Sequence, residues 1–172
     1  DDDLSRGLGD VYKRQLFNAS IDMNTMKIIK KDYINLGIAV DTPQGLIVPN
    51  IKSANKMSIR EISDEIARLA NLSKSRKIKV ADLKGSTFTI SSLGSFGGKF
   101  FTPIINPPEV AILGISKSYD SVLLKDNKPI SITNLPISLS YDHRIINGVQ
   151  GVEFTSRFCE ILSDISYFEE SF

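Results

Sequence analysis

Between residues 135 and 165 the chain passes once from strand-forming to helix-forming sequence, and that passage constrains the fold more than any other feature. Leu135-Pro136-Ile137-Ser138-Leu139-Ser140-Tyr141 is apolar and β-favouring, which predicts a strand. From Gly148 onward, Phe154, Phe158, Ile161 and Ile165 recur at helical spacing. The corner between them, Asp142-His143-Arg144-Ile145-Ile146-Asn147, carries the single histidine of the 172 residues. A group at such a corner is exposed while both flanks are rigid, and imidazole is the side chain best matched to proton transfer near neutral pH. Plainer roles stand beside that one. By position alone His143 reads more readily as a structural or surface residue, and Arg144 could be a solvated charge. Asn147, three residues before Gln150, reads as an N-cap with a capping-box partner.

The rest of the chain supplies partners for this corner. Leu16 to Asp22 and Met26 to Lys31 predict two short strands joined by a Met23-Asn24-Thr25 turn, and Ile34 to Val40 a third. Asp41-Thr42-Pro43-Gln44-Gly45 has turn chemistry, and Leu46 to Ile51 continues as a strand whose Pro49 demands an edge or a bulge. Ser58 and Glu61 form a capping-box pattern ahead of a helix with the apolar stripe Ile59, Ile62, Ile66 and Leu69. Lys74, Arg76 and Lys77 end that helix where its dipole favours cations, as a solvated terminus. Thr87 to Ser91, Val110 to Ser116 and Tyr119 to Leu124 predict further strands, and a Lys125-Asp126-Asn127-Lys128 turn leads on to the strand before the histidine. This order of strands, helix, strands, helix predicts an α/β fold, a two-layer sandwich with a mixed β-sheet.

Several function classes are excluded. Twenty-one basic and 20 acidic residues give a net charge of +1 without a basic block, which argues against nucleic acid as partner. One cysteine and one histidine make no plausible metal site, so none is expected, and Cys159, beside Phe158 and Leu162, reads as a packed thiol. No apolar run approaches the roughly 20 residues of a membrane span, and no membrane partner is expected. With no signal peptide visible, the cytoplasm is the expected location. Gly94-Ser95-Phe96-Gly97-Gly98-Lys99 has neither Walker nor dinucleotide-binding spacing, and its glycines suit a tight turn. Asp10-Val11-Tyr12-Lys13-Arg14-Gln15 matches the translation of a sequencing adapter, so residues 1–15 are set apart from fold reasoning.

Four ordered motifs resemble a known family. Ser138 to Gly148 is similar to the His-x-x-x-Asp-Gly signature of the dihydrolipoyl acyltransferases, the core components of 2-oxo acid dehydrogenase complexes. Asn35 to Pro49, Gly85 to Gly94 and Phe101 to Gly114 agree in the same order, so the similarity covers about Leu16 to Ile165. Ala39-Val40-Asp41-Thr42-Pro43 and Ile112 to Ser118 most resemble the pyruvate-specific, acetyl-transferring branch. The resemblance implies a chloramphenicol-acetyltransferase-like, coenzyme A-dependent acyltransferase fold, truncated at its N-terminus, with residues 16–172 as the C-terminal part of the catalytic domain.

Further expectations follow from that likeness. An acetyl group would pass between a dihydrolipoyl thioester and coenzyme A, the latter a substrate, with the lipoyl group held covalently on an upstream domain absent here. His143 would be the general base and Ser91 the hydroxyl that stabilises the oxyanion. Asn147 stands where aspartate is usual, keeping hydrogen-bonding capacity without the charge. An ordinary thiol titrates about 2 units above an ordinary imidazole, so the proton transfer is uphill by about 2.7 kcal/mol. Orientation and a fixed oxyanion donor, the latter worth roughly 3 to 4 kcal/mol, offset this. Asp142, adjacent in sequence, is expected to point away along the strand rather than complete a triad. The expected partners are copies of the chain, as trimers building a cubic or icosahedral core with base and serine from neighbouring chains. The pyruvate decarboxylase-dehydrogenase and dihydrolipoyl dehydrogenase components are expected beside them. The competing expectations are a succinyl- or branched-chain acyltransferase, a non-catalytic scaffold subunit of the same fold, and an antibiotic acetyltransferase. His143 argues against the scaffold and Ile104 to Pro108 against the last.

Overall fold

The computed structural model describes residues 15–94, 96–164 and 166–169. In chain order the strands are β1 (Ala19–Asp22), β2 (Lys27–Lys30), β3 (Leu36–Ile38), β4 (Val40–Thr42), β5 (Gly45–Ile47) and β6 (Asn50–Ile51). They continue with β7 (Phe88–Ser92), β8 (Ala111–Ile115), β9 (Tyr119–Lys125), β10 (Lys128–Asn134) and β11 (Ile137–Tyr141). The helices are α1 (Ile59–Lys74), the single turns α2 (Val80–Leu83) and α4 (Ser166–Glu169), and α3 (Gly148–Ser163).

Five strands form the central mixed sheet in the order β11-β8-β7-β3-β6. The inner pairs β8/β7 and β7/β3 are parallel, and the outer pairs β11/β8 and β6/β3 are antiparallel. Alternation then sorts the side chains. Phe88, Ile90, Ala111, Leu113, Ile115, Ile137, Leu139 and Tyr141 belong to one hydrophobic cluster with Phe17, Phe154 and Phe158, so α3 covers that face. Leu36 and Ile38 continue it into a second cluster of Ile51, Ala54 and Leu69, which brings α1 to the same side. The opposite face carries Thr89, Ser91, Ile112 and Gly114, and residues 101–107 lie over it. The expected two-layer α/β fold with a mixed sheet is what forms.

Local chemistry explains most element boundaries. Ser58 accepts from the Glu61 N–H while Glu61 accepts from the Ser58 N–H, a capping box worth about 1 kcal/mol. Of the predicted α1 stripe, Leu69 is fully buried and Ile62 half-buried, whereas Ile59 and Ile66 remain exposed. Asp126 and Asn127 both take positive φ, 51° and 58°, the geometry of a type I′ hairpin turn.

That turn corrects one expectation. It joins β9 to β10 in a hairpin of seven paired residues, and only then does the chain reach β11. Lys128–Asn134 is mostly exposed, and its apolar alternation is confined to Ile130-Ser131-Ile132-Thr133, too short to stand out beside the turn residues before it. Two further corrections come from prolines and plugs. The expected strand over 46–51 splits into β5 and β6 at Pro49, whose carbonyl nonetheless accepts from Ile38 N–H at 2.8 Å. Residues 15–18 form a 3-10 turn because Phe17 turns inward to stack on Phe154 at 4.3 Å between ring centroids. Cys159 is exposed, not packed. Residues 1–14, which hold most of the adapter-like segment, and Ile165 lie outside the described residues.

Candidate active site

His143 sits at a corner pinned from both sides. Asp142 N–H donates to Val110 O at 2.8 Å, and the Asp142 carbonyl accepts from Ile145 and Ile146 N–H at 3.0 Å each. Ile146 is fully buried and Ile145 nearly so, which anchors the segment in the core. Gly151 of α3 lets Tyr141 lie against the helix: a Cβ at that glycine would meet Tyr141 Cε1 at 2.8 Å. The Tyr141 ring is in turn 5.8 Å from the His143 ring, which is exposed. A fixed backbone thus presents a free imidazole.

The neighbouring charges are spent on the corner itself. Arg144 holds Asp142 in a forked ion pair, with Nε to Oδ1 at 2.9 Å and Nη2 to Oδ2 at 2.5 Å. The Arg144 side chain, together with the Arg144 backbone N–H, holds the Asp142 carboxyl below the usual carboxylate range. The Asp142 carboxylate, just past the end of β11, is thus engaged by Arg144 rather than by the imidazole, and Arg144 is a clamp rather than a merely solvated charge. Asn147 caps α3: its Oδ1 accepts from Gln150 N–H and Gln150 Oε1 accepts from Asn147 N–H, both at 2.9 Å.

Ser91 lies elsewhere. It is next to last on β7 and opens into a cleft of about 420 Å³ lined by residues 101–107 together with Ala39, Leu46, Val48, Thr89 and Ile112. That lining is mostly apolar, as ligand clefts of this size generally are. Two glycines make the cleft possible. At Gly114, opposite Ser91, an added Cβ would meet Phe101 Cζ at 2.8 Å; at Gly37, opposite Thr89, it would meet Thr89 Oγ1 at 2.5 Å. Beyond β7, Gly97 and Gly98 take positive φ in the turn that the sequence predicts. The cleft-lining role of Phe101 and Pro103 was not read from the sequence; its signal lies in Gly114, a side-chain-free position inside an otherwise apolar strand.

The register fixes how far Ser91 and His143 stand apart. Ser91 aligns with Gly114, which aligns with Ser138 on β11. Reaching Tyr141 from there takes two interstrand steps, about 10 Å, and three residues along the strand, about 10 Å more. His143 lies beyond that, past the sheet's end, on a segment whose Tyr141 faces the helices while Ser91 faces the cleft. Within one chain the two cannot meet, since reacting groups must come within about 3.5 Å.

Comparison with known proteins agrees with this architecture. Residues 11–168 match the family model for the catalytic domain of 2-oxoacid dehydrogenase acyltransferases. The chain belongs to that family. A Buchnera aphidicola protein named dihydrolipoyllysine-residue acetyltransferase component of pyruvate dehydrogenase complex is 45% identical over 155 residues, 90% of this chain and 39% of that protein. The Cupriavidus necator protein of the same name is 46% identical over 148 residues, 86% of this chain and 26% of that one. The chain therefore spans between about a quarter and two fifths of these relatives' lengths. The solved dihydrolipoamide acetyltransferase of Azotobacter vinelandii superposes with a TM-score of 0.84 at 43% identity, covering 91% of this chain and 65% of that one. That protein's structure was determined to establish the part a serine, a histidine and an asparagine play in its catalytic mechanism. The cubic core of a pyruvate dehydrogenase multienzyme complex superposes equally well, with a TM-score of 0.84 and 43% identity over 92% of this chain and 65% of that one.

Proposed function

We propose that this acyltransferase chain moves an acetyl group between a dihydrolipoyl arm and coenzyme A in a pyruvate dehydrogenase complex, with His143 as base and Ser91 as oxyanion donor. One observation carries the assignment. Ser91 precedes His143 by 52 residues and Asn147 follows it by four, the intervals that separate the serine, histidine and asparagine of the Azotobacter enzyme. The acyl group is assigned from the names of the relatives.

His143 takes the proton from the attacking thiol as its sulfur adds to the thioester carbonyl. Ser91 Oγ–H donates to the oxygen that gains charge in the tetrahedral intermediate. Collapse breaks the other carbon–sulfur bond, and His143 returns its proton to the departing thiolate. No acyl-serine forms. The Asn147 side-chain oxygen is taken by the cap, so any part it plays in the reaction is through its amide nitrogen. The cleft's apolar lining suits the slender, chiefly hydrocarbon arm of a lipoyl group, which carries the acyl group as a thioester when bound. Because Ser91 and His143 lie apart in one chain, each site draws its base from one copy and its serine from another, which requires an oligomer. We assign the trimer, a cubic or icosahedral core and the decarboxylating and dihydrolipoyl dehydrogenase partners on the same reading, with the cytoplasm as location. Among the described residues no helix is long and apolar enough to cross a membrane.

In the full-length protein, His143→Ala should abolish transfer from acetyl-coenzyme A to dihydrolipoamide while leaving assembly intact. Ser91→Ala should lower kcat about a hundredfold or more with little change in KM. Turnover retained in the histidine variant would overturn the assignment.

A further inference from the structure

Glu109 is the one acidic or basic side chain that is buried among the described residues, at 6% exposure. It follows Pro107-Pro108 and precedes β8. Its N–H donates to Asn106 O at 3.0 Å, and Asn106 Nδ2 donates to its Oε1 at 3.2 Å, so the 106–109 turn is closed twice. Its other oxygen, Oε2, has no hydrogen-bond partner, and neither has the buried Thr89 Oγ1. The groups acting on the carboxyl are the Thr89 and Ser86 hydroxyls and the Asn106 amide; no charged side chain is among them. The hydroxyls lie near enough to favour ionisation without making a bond of good geometry. Burial outweighs them and pushes the carboxyl above the ordinary glutamate value of 4.5.

The position gives this acid a task. Asn106 and Thr89 both line the cleft, Thr89 two residues before Ser91 on the same strand face. Glu109 stands behind them where the two walls join. A carboxyl group supplies what the junction lacks: one oxygen accepts from Asn106, and the other can share a hydrogen bond with the Thr89 hydroxyl, pairing both orphaned atoms.

We propose that Glu109 is a positioning residue that ties the Asn106 wall of the cleft to the strand carrying Ser91 and so sets the cleft's width at the reacting carbonyl. This rests on the acyl-transfer reading of Ser91. An amide keeps one acceptor and one donor, so Glu109→Gln retains the link, whereas Glu109→Ala removes it.

The test uses the full-length protein, acetyl-coenzyme A and free dihydrolipoamide. Glu109→Gln should keep kcat/KM within about twofold, and Glu109→Ala should lower it between about ten- and a hundredfold with assembly unchanged. A second measurement follows the thermal midpoint against pH. A raised carboxyl pKa contributes stability that is complete below 4.5 and is lost as pH rises through the folded value. The wild type should show that loss and Glu109→Gln should not. A glutamine variant as impaired as the alanine one overturns the proposal, and so does an alanine variant with wild-type kcat and KM. Where alanine prevents assembly, the glutamine variant's activity and pH profile decide alone. Wild-type protein without transfer activity would overturn the acyl-transfer reading and this proposal together, whereas active wild type with indifferent Glu109 variants would overturn the proposal alone.

Discussion

Mixing two inactive variants should restore activity, because the register of β7, β8 and β11 separates Ser91 from His143 within a chain. Ser91→Ala keeps its imidazole and His143→Ala keeps its hydroxyl. Each alone supplies every site with one defective group. In oligomers assembled at random from equal amounts of both, a site is whole only when its base comes from a Ser91→Ala chain and its hydroxyl from a His143→Ala chain. The two choices are independent and each has even odds, so about one quarter of sites are intact in a closed homo-oligomer. Refolding the two full-length variants together and following acetyl transfer to dihydrolipoamide should therefore recover about a quarter of wild-type kcat, with KM unchanged. Each variant refolded by itself should stay at about a hundredth or below. A mixture no more active than its components, with mixed oligomers verified by differential tagging, would refute the reasoning. The serine and the base would then have to act within one chain, and the strand register would be wrong.

Gly37→Ala places a methyl 2.5 Å from Thr89 Oγ1 and 2.6 Å from Ser86 Oγ, inside the polar cluster behind the cleft. Overpacking of this kind costs about 1–3 kcal/mol, more than the roughly 0.5–1 kcal/mol that alanine returns over glycine in a strand, so the thermal midpoint of the full-length protein should fall. Asn147→Ala removes the α3 cap and should cost about 0.5–2 kcal/mol in chemical denaturation, whereas Asn147→Asp keeps the cap and should not.

The corner that bears His143 was legible because everything that shapes it is close in sequence. The Asn147–Gln150 capping box is three residues long, and the strand before and helix after declare their own periods. The plain reading of Asn147 as a cap is what the structure shows. Ser91 was legible only through family likeness, since a serine near a strand end says little by itself. Glu109 stands in an apolar run and looks like an ordinary strand entry; nothing local shows that it is buried without a counter-ion. The Asp142–Arg144 fork was missed because two charges at i and i+2 face each other only when the chain turns sharply between them.

Short-range sequence, then, was enough for the helix caps, the place of a turn at Asp126-Asn127 though not the hairpin it closes, and a rigid corner presenting one imidazole. Hydrogen bonds and periodicities that span three or four residues carry that information, and at these places the packing agrees with them. Only the tertiary structure decided that Ser91 and His143 stand at opposite ends of one sheet, that Glu109 is closed off behind the cleft, and that Cys159 faces outward. Those facts depend on which strands pair and in what register, a choice made by burial between segments dozens of residues apart.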